Sequence, residues 1–225
     1  MDLNRKITPD TGYVDITPFS IGYSDFSFLI WFTPLQPETK NIKTLFCYQK
    51  TNDDQKYQFS LNLTADGKLT FCCSDQSNSV STDDYLKSIE SVIYDRLNVV
   101  AIVRKHNEIR MYLNNGLSGI FKTKEIIKCY SYEADDGNSS NENQNQIYFR
   151  LGAMTNKDLK PSNEFDGTIE RFIFNLEAFD ESIITAFAAD LANNFVTEYS
   201  QPLPTYDSQQ QVFYERIDDD LPPPY

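Results

Sequence analysis

The chain has 225 residues, a formal net charge of −13, four cysteines and one histidine. That charge excludes a nucleic-acid backbone or an anionic membrane surface as the main partner, because both would repel it. With 16 Phe and 14 Tyr there is ample core material, and no apolar run approaches the roughly 20 residues of a membrane-spanning helix.

The opening residues, MDLNRKITPDTGYVDI, lack the apolar centre of a secretory signal, so none is expected here. Tyr13-Val14-Asp15-Ile16 is a short strand candidate. Phe26–Phe32 is apolar on both alternating faces and is stopped by Pro34, which predicts a strand covered on both sides. A further strand is predicted over 42–49. Tyr57, Phe59, Leu61 and Leu63 then alternate with polar residues. Asp66-Gly67 turns the chain, and Leu69, Phe71 and Cys73 continue the period of two. Residues 83–94 place Leu86, Ile89 and Ile93 on one side of a predicted short helix.

Leu97–Val103 is again apolar on both faces, and a polar break over Arg104–Asn107 predicts a hairpin. Ile109, Met111 and Leu113 return on one face, with Glu108, Arg110 and Tyr112 on the other. Asn114-Asn115-Gly116 closes this unit with residues that tolerate positive φ. Residues 131–146 hold almost nothing apolar and predict a solvated loop. Strands resume at Ile147–Leu151 and at Phe165–Asn175. A closing helix is predicted near 181–197, capped by Asp180 or Ser182, with Ile183, Ile184, Phe187, Ala188, Leu191 and Phe195 on its apolar face. Residues 200–225 hold five prolines, five acids and one arginine, the composition of an extended arm. Periodicity thus predicts an antiparallel all-β domain over 1–199 followed by an acidic Pro-rich arm over 200–225.

Four segments carry a family resemblance in the family's order. The first is Phe26, Ser27, Phe28, Ile30, Trp31 and Phe32; the second is the F-x-L-x-L-x-x-D-G-x-L-x-F phrase from Phe59 to Phe71. The third comprises Val99, Val100, Ala101, Val103, Ile109, Tyr112, Leu113, Asn115 and Gly116, with Leu97 where the family often has tryptophan. The fourth pairs Phe149, Leu151 and Gly152 with Phe165, Gly167, Ile169, Glu170, Phe172 and Phe174. Together they resemble laminin-G-like and pentraxin-like domains. The resemblance implies a concanavalin A-like antiparallel β-sandwich, a jelly roll, with a short C-terminal helix and an extended tail.

Some members of that superfamily are glycosidases, which need two carboxylates roughly 5–10 Å apart. No E-x-D-x-x-E run occurs; Glu170 is flanked at i±2 by Thr168 and Phe172, while Asp83-Asp84 and Asp135-Asp136 lie outside predicted strands. His106 is the only imidazole and sits in a turn. No catalytic residue is therefore assigned, and the chain is not expected to be an enzyme. The resemblance also implies rim calcium in some relatives, for which Asp25, Asp66, Asp75 and Asp166 are candidates; no cofactor or metal ligand is assigned. Cys47, Cys72, Cys73 and Cys129 are expected as buried free thiols, and no CxxC pair supports zinc.

Asn62-Leu63-Thr64 and Asn138-Ser139-Ser140 are sequons expected to arise by chance. In the arm, Val212, Phe213, Tyr214 and Ile217 are apolar anchors for docking a protein partner. Pro222, Pro223, Pro224 and Tyr225 match the P-P-x-Y ligand of WW domains and complete the candidate docking set. The leading expectation is a non-catalytic structural or adhesion module of a phage or viral surface, a capsid decoration or fibre, made in the host cytoplasm and docked through its arm. The alternative is an extracellular carbohydrate-binding, lectin-like module of a secreted or cell-surface protein; a glycosidase ranks third.

Overall fold

The computed structural model describes residues 6–7, 12–16, 21, 23–50, 57–73, 85–122, 147–155, 160–194 and 213–214. Its strands are β1 (Lys6–Ile7), β2 (Val14–Ile16), β3 (Phe26–Pro34), β4 (Lys43–Lys50), β5 (Tyr57–Leu63), β6 (Lys68–Cys73), β7 (Tyr85–Ser91) and β8 (Asn98–Lys105). They continue with β9 (Glu108–Leu113), β10 (Gly116–Lys122), β11 (Ile147–Leu151), β12 (Met154–Thr155), β13 (Pro161–Ser162), β14 (Gly167–Asn175) and, after helix α1 (Glu181–Asn194), β15 (Phe213–Tyr214).

One antiparallel sheet runs β1-β14-β3-β8-β9-β10, with β15 also on β14; the second runs β2-β11-β4-β5-β6-β7. Their inner faces meet in a core dominated by aromatic rings. Phe28 sits at its centre, with ring centroids of Phe26 and Phe46 at 4.9 Å and Phe174 at 5.0 Å. The sheets also touch at one side, where Gly119 of β10 faces Leu86 and Lys87 of β7. A Cβ at Gly119 would meet Leu86 Cδ1 at 2.7 Å, so this approach requires a residue without one.

The strands that read as apolar on both faces occupy the middle of the first sheet for a physical reason. Phe28, Ile30, Val100 and Ile102 point into the sandwich. On the opposite face, Leu29, Trp31, Val99, Ala101, Val103, Tyr112 and Ile173 are covered by Ile184 and Ala188 of α1, with Phe179 and Phe187 packed beside them. Asp180 caps the helix through its carbonyl, which accepts the amides of Ile183 and Ile184 at 3.0 and 3.1 Å. Ser27 anchors the approach to it, donating to Glu177 O and accepting from Phe179 N, both at 2.8 Å.

Two local expectations are corrected. Residues 85–91 form strand β7, not a helix. Leu86 and Val92 are buried, whereas Ile89 and Ile93 are 69% and 53% exposed, so two of the three residues in the helix-like spacing are ones the core does not use. The β8–β9 turn is also tighter than the polar break suggested: Lys105 pairs with Glu108, leaving only His106 and Asn107 in the turn. Arg104 belongs to the strand and is 1% exposed, its guanidinium 5.0 Å over the Phe26 ring and donating to Ser24 O at 2.5 Å. The aromatic ring and the carbonyl together hold its buried cation.

Candidate functional site

A β-sandwich has two outer faces, and here they differ in kind. The first sheet's outer face is apolar at its centre and closed by α1. The second sheet's outer face is polar. Register sets Asp15, Arg150, Cys47, Ser60 and Cys72 in one row across β2, β11, β4, β5 and β6. At ~4.8 Å between strands, that row is roughly 19 Å long. A neighbouring row holds Thr44, Asn62, Thr70 and Lys87.

Hydrogen bonds within the face fix these side chains. Thr44 Oγ1 donates to Asn62 Oδ1 at 2.8 Å, and Asn62 Nδ2 donates onward to Ser60 Oγ at 3.0 Å. Cys47 Sγ lies 3.7 Å from Gln49 Oε1. Thr44, Gln49, Ser60, Asn62 and Thr70 are buried, so the middle of the face is a shielded polar floor. Its accessible positions lie toward the edges. Asp15 is exposed and Tyr13 half-buried at the β2 edge, and Lys87 is exposed on β7.

At the β2 edge, Arg150 forms a two-pronged ion pair with Asp15, Nε to Oδ1 at 2.6 Å and Nη2 to Oδ2 at 2.9 Å. The Tyr13 ring lies over the guanidinium, with Cζ 4.1 Å from the ring centroid. Asp15 keeps 46% of its side chain exposed while Arg150 keeps 4%. At the far edge, Asp66 accepts from Thr64 Oγ1 and pairs with Lys87 at 3.0 Å. The Thr64 hydroxyl and then Lys87 hold its carboxyl down at about 2. Cys72 faces outward beside Ser60, and burial pushes its thiol pKa up, away from reactivity.

The other sequence candidates are dispersed. Glu170 sits at a β-bulge on the outer face of the first sheet, accepting from Thr33 Oγ1 at 3.0 Å; burial raises its pKa. Asp25 takes the His106 amide at 2.6 Å, and the Asp166 carbonyl takes the Leu35 amide at 2.9 Å. Asp75 lies outside the described residues, and among those residues no three His, Cys, Asp or Glu side chains converge. The calcium candidates therefore form no common oxygen cage here. Cys47, Cys72 and Cys73 are free thiols, and Cys129 is outside the described residues. Asn62 of the first sequon is hydrogen-bonded to Thr44 and Ser60 within β5; Asn138 lies outside the described residues.

Of the arm residues, Phe213 pairs with Phe174 and Tyr214 with Ile173 along the edge of β14. Val212, Ile217, Pro222, Pro223, Pro224 and Tyr225 lie outside the described residues. Sequence reasoning missed the Tyr13–Arg150–Asp15 group. Arg150 is 135 or more residues from Tyr13 and Asp15, and only the β2–β11 register brings it to them.

No family model matches the chain, and no curated protein is similar to it in sequence. Solved structures do match. The sialidase CBM40 of Ruminococcus gnavus, bound to α2,3-sialyllactose, superposes with a TM-score of 0.59 at 14% identity, covering 82% of this chain and 96% of that one. The SAP-like pentraxin of Limulus polyphemus gives a TM-score of 0.56 at 13% identity, covering 84% and 83%. NanB sialidase of Streptococcus pneumoniae gives 0.59 at 14% identity over 81% of this chain, which spans only 27% of that enzyme. The chain thus has the concanavalin A-like β-sandwich fold that its four motifs implied.

Proposed function

We propose that this chain is a non-catalytic carbohydrate-binding module whose glycan docks on the outer face of the six-stranded sheet. The observation that carries the reading is the contrast between the two outer faces. One is sealed by a helix over apolar side chains; the other is polar, its central hydroxyl and amide groups buried and bonded to one another, with Tyr13, Asp15 and Lys87 accessible at its edges. Sugar hydroxyls need donors and acceptors that are already oriented, because groups ordered only on binding cost entropy. Edge groups that are accessible yet held in place, such as Asp15 on Arg150, meet that need.

The structural neighbours support the same side. They include a carbohydrate-binding module crystallised with a sialylated sugar, and where the match is to a whole sialidase the chain covers about a quarter of it. Neither comparison favours the virion role, so the carbohydrate-binding alternative becomes the main reading. Glu170, the strand carboxyl considered for glycosidase chemistry, is engaged by Thr33.

The test is a glycan array probed with the full chain, with calcium and with a chelator. Selective retention of one glycan class is the expected result. Absence of retention on every glycan under both conditions would overturn the reading.

A further inference from the structure

We infer that Tyr13 is a stacking platform for a neutral pyranose, with Asp15 beside it as the acceptor for that sugar's hydroxyls. This inference rests on the carbohydrate-binding reading and names where on the face the sugar sits and which sugars are taken.

The argument follows the layering at the β2 edge. Arg150 projects from the outer face of β11, and its side chain is 4% exposed. The Tyr13 ring covers the guanidinium at 4.1 Å. Sheet, guanidinium and ring are therefore stacked in that order, and the ring is only half-buried. Both bonds of Arg150 to Asp15 lock the guanidinium, so the ring rests on a rigid base. An aromatic face fixed before binding loses little freedom when a pyranose lays its C–H face against it.

Charge selects among sugars. The Arg150 cation is already matched by the Asp15 carboxylate, and Asp15 is the more exposed partner of the two. A carboxylated sugar arriving at Tyr13 meets that carboxylate on a chain with a net charge of −13. A neutral sugar instead offers hydroxyl donors to the accessible oxygens of Asp15, making charge-assisted hydrogen bonds. The acceptor set at this edge fits neutral pyranoses and disfavours acidic ones such as the sialylated ligand of the CBM40 neighbour.

The experiment is saturation-transfer NMR on the full chain with the methyl glycosides of glucose, galactose, mannose and N-acetylneuraminic acid. At least one neutral glycoside should receive saturation through its C–H face, and the acidic one should receive less. Tyr13→Ala and Tyr13→Leu should weaken binding about tenfold, the scale of one lost aromatic contact. Tyr13→Phe keeps the ring and should weaken it less than about threefold. Tyr13→Leu still covers Arg150, so it separates loss of stacking from loss of a structural lid; thermal melts verify that each variant folds.

Equal binding by Tyr13→Leu and the parent chain would overturn the platform while leaving carbohydrate binding intact. A preference for N-acetylneuraminic acid would overturn the neutral class. Failure of these glycosides together with every oligosaccharide on the array would remove the underlying reading and this inference with it.

Discussion

Single side chains at two positions make measurable demands on the fold. Gly167 has φ +154°, and a Cβ there would lie 2.2 Å from Thr33 O and 2.9 Å from the Phe165 ring. Gly167→Ala should destabilise the chain by about 2–3 kcal/mol in urea unfolding, from backbone strain and overpacking combined. Glu170 gives a pH signature instead. Burial raises its carboxyl pKa above the unfolded value, so the folded chain binds more protons in the window above about 4.3. Its contribution therefore favours folding at low pH and is lost as pH rises through that window. Glu170→Gln retains an acceptor for Thr33 Oγ1 and should be more stable than the parent at neutral pH, with the advantage shrinking below about pH 4. Melting curves across pH check the sign; a variant less stable at neutral pH would contradict it.

At the scale of elements, helix α1 closes the outer face of the first sheet. Trp31 is the only tryptophan, and Phe187 meets it edge-on at 6.0 Å. Phe187→Ala should cost about 2 kcal/mol, below the range for a fully buried ring because Phe187 is partly exposed. It should also red-shift the Trp31 emission as water reaches the indole. An unchanged spectrum would mean the helix does not seal that face. The sequence made these elements legible where apolar period and burial coincide. Phe26–Phe32 and Val99–Val103 read as doubly covered strands, and both lie between the core and α1. Legibility failed at β7 because Ile89 and Ile93 are apolar yet exposed, and at Arg104 because a charged residue is buried, its guanidinium over Phe26 and bonded to Ser24 O. The site was less legible than the fold. Ser60, Asn62 and Thr70 read only as the polar half of an alternation, and the pairing of Asp15 with Arg150 depends on a register no local pattern encodes.

For the whole molecule, the proposed sugar site lies on the sandwich, and the arm is a separate question. Within the arm, Phe213 and Tyr214 add two register pairs at the edge of β14, far from the outer face of the six-stranded sheet in strand order. Deleting residues 200–225 should therefore leave glycan retention unchanged and lower stability by no more than about 1 kcal/mol, the scale of one or two exposed backbone hydrogen bonds. Loss of retention on deletion would place the arm in the sugar site. The same truncation tests the docking expectation, since incorporation into any larger assembly should fail without it.

The most direct measurement of the central claim is a backbone-amide NMR titration with the glycan the array retains. The account predicts shifts clustered at Tyr13, Val14, Asp15 and Arg150, at the accessible β2 edge, with Lys122 and the residues of α1 unmoved. Shifts centred on α1 and the outer face of the first sheet would contradict it.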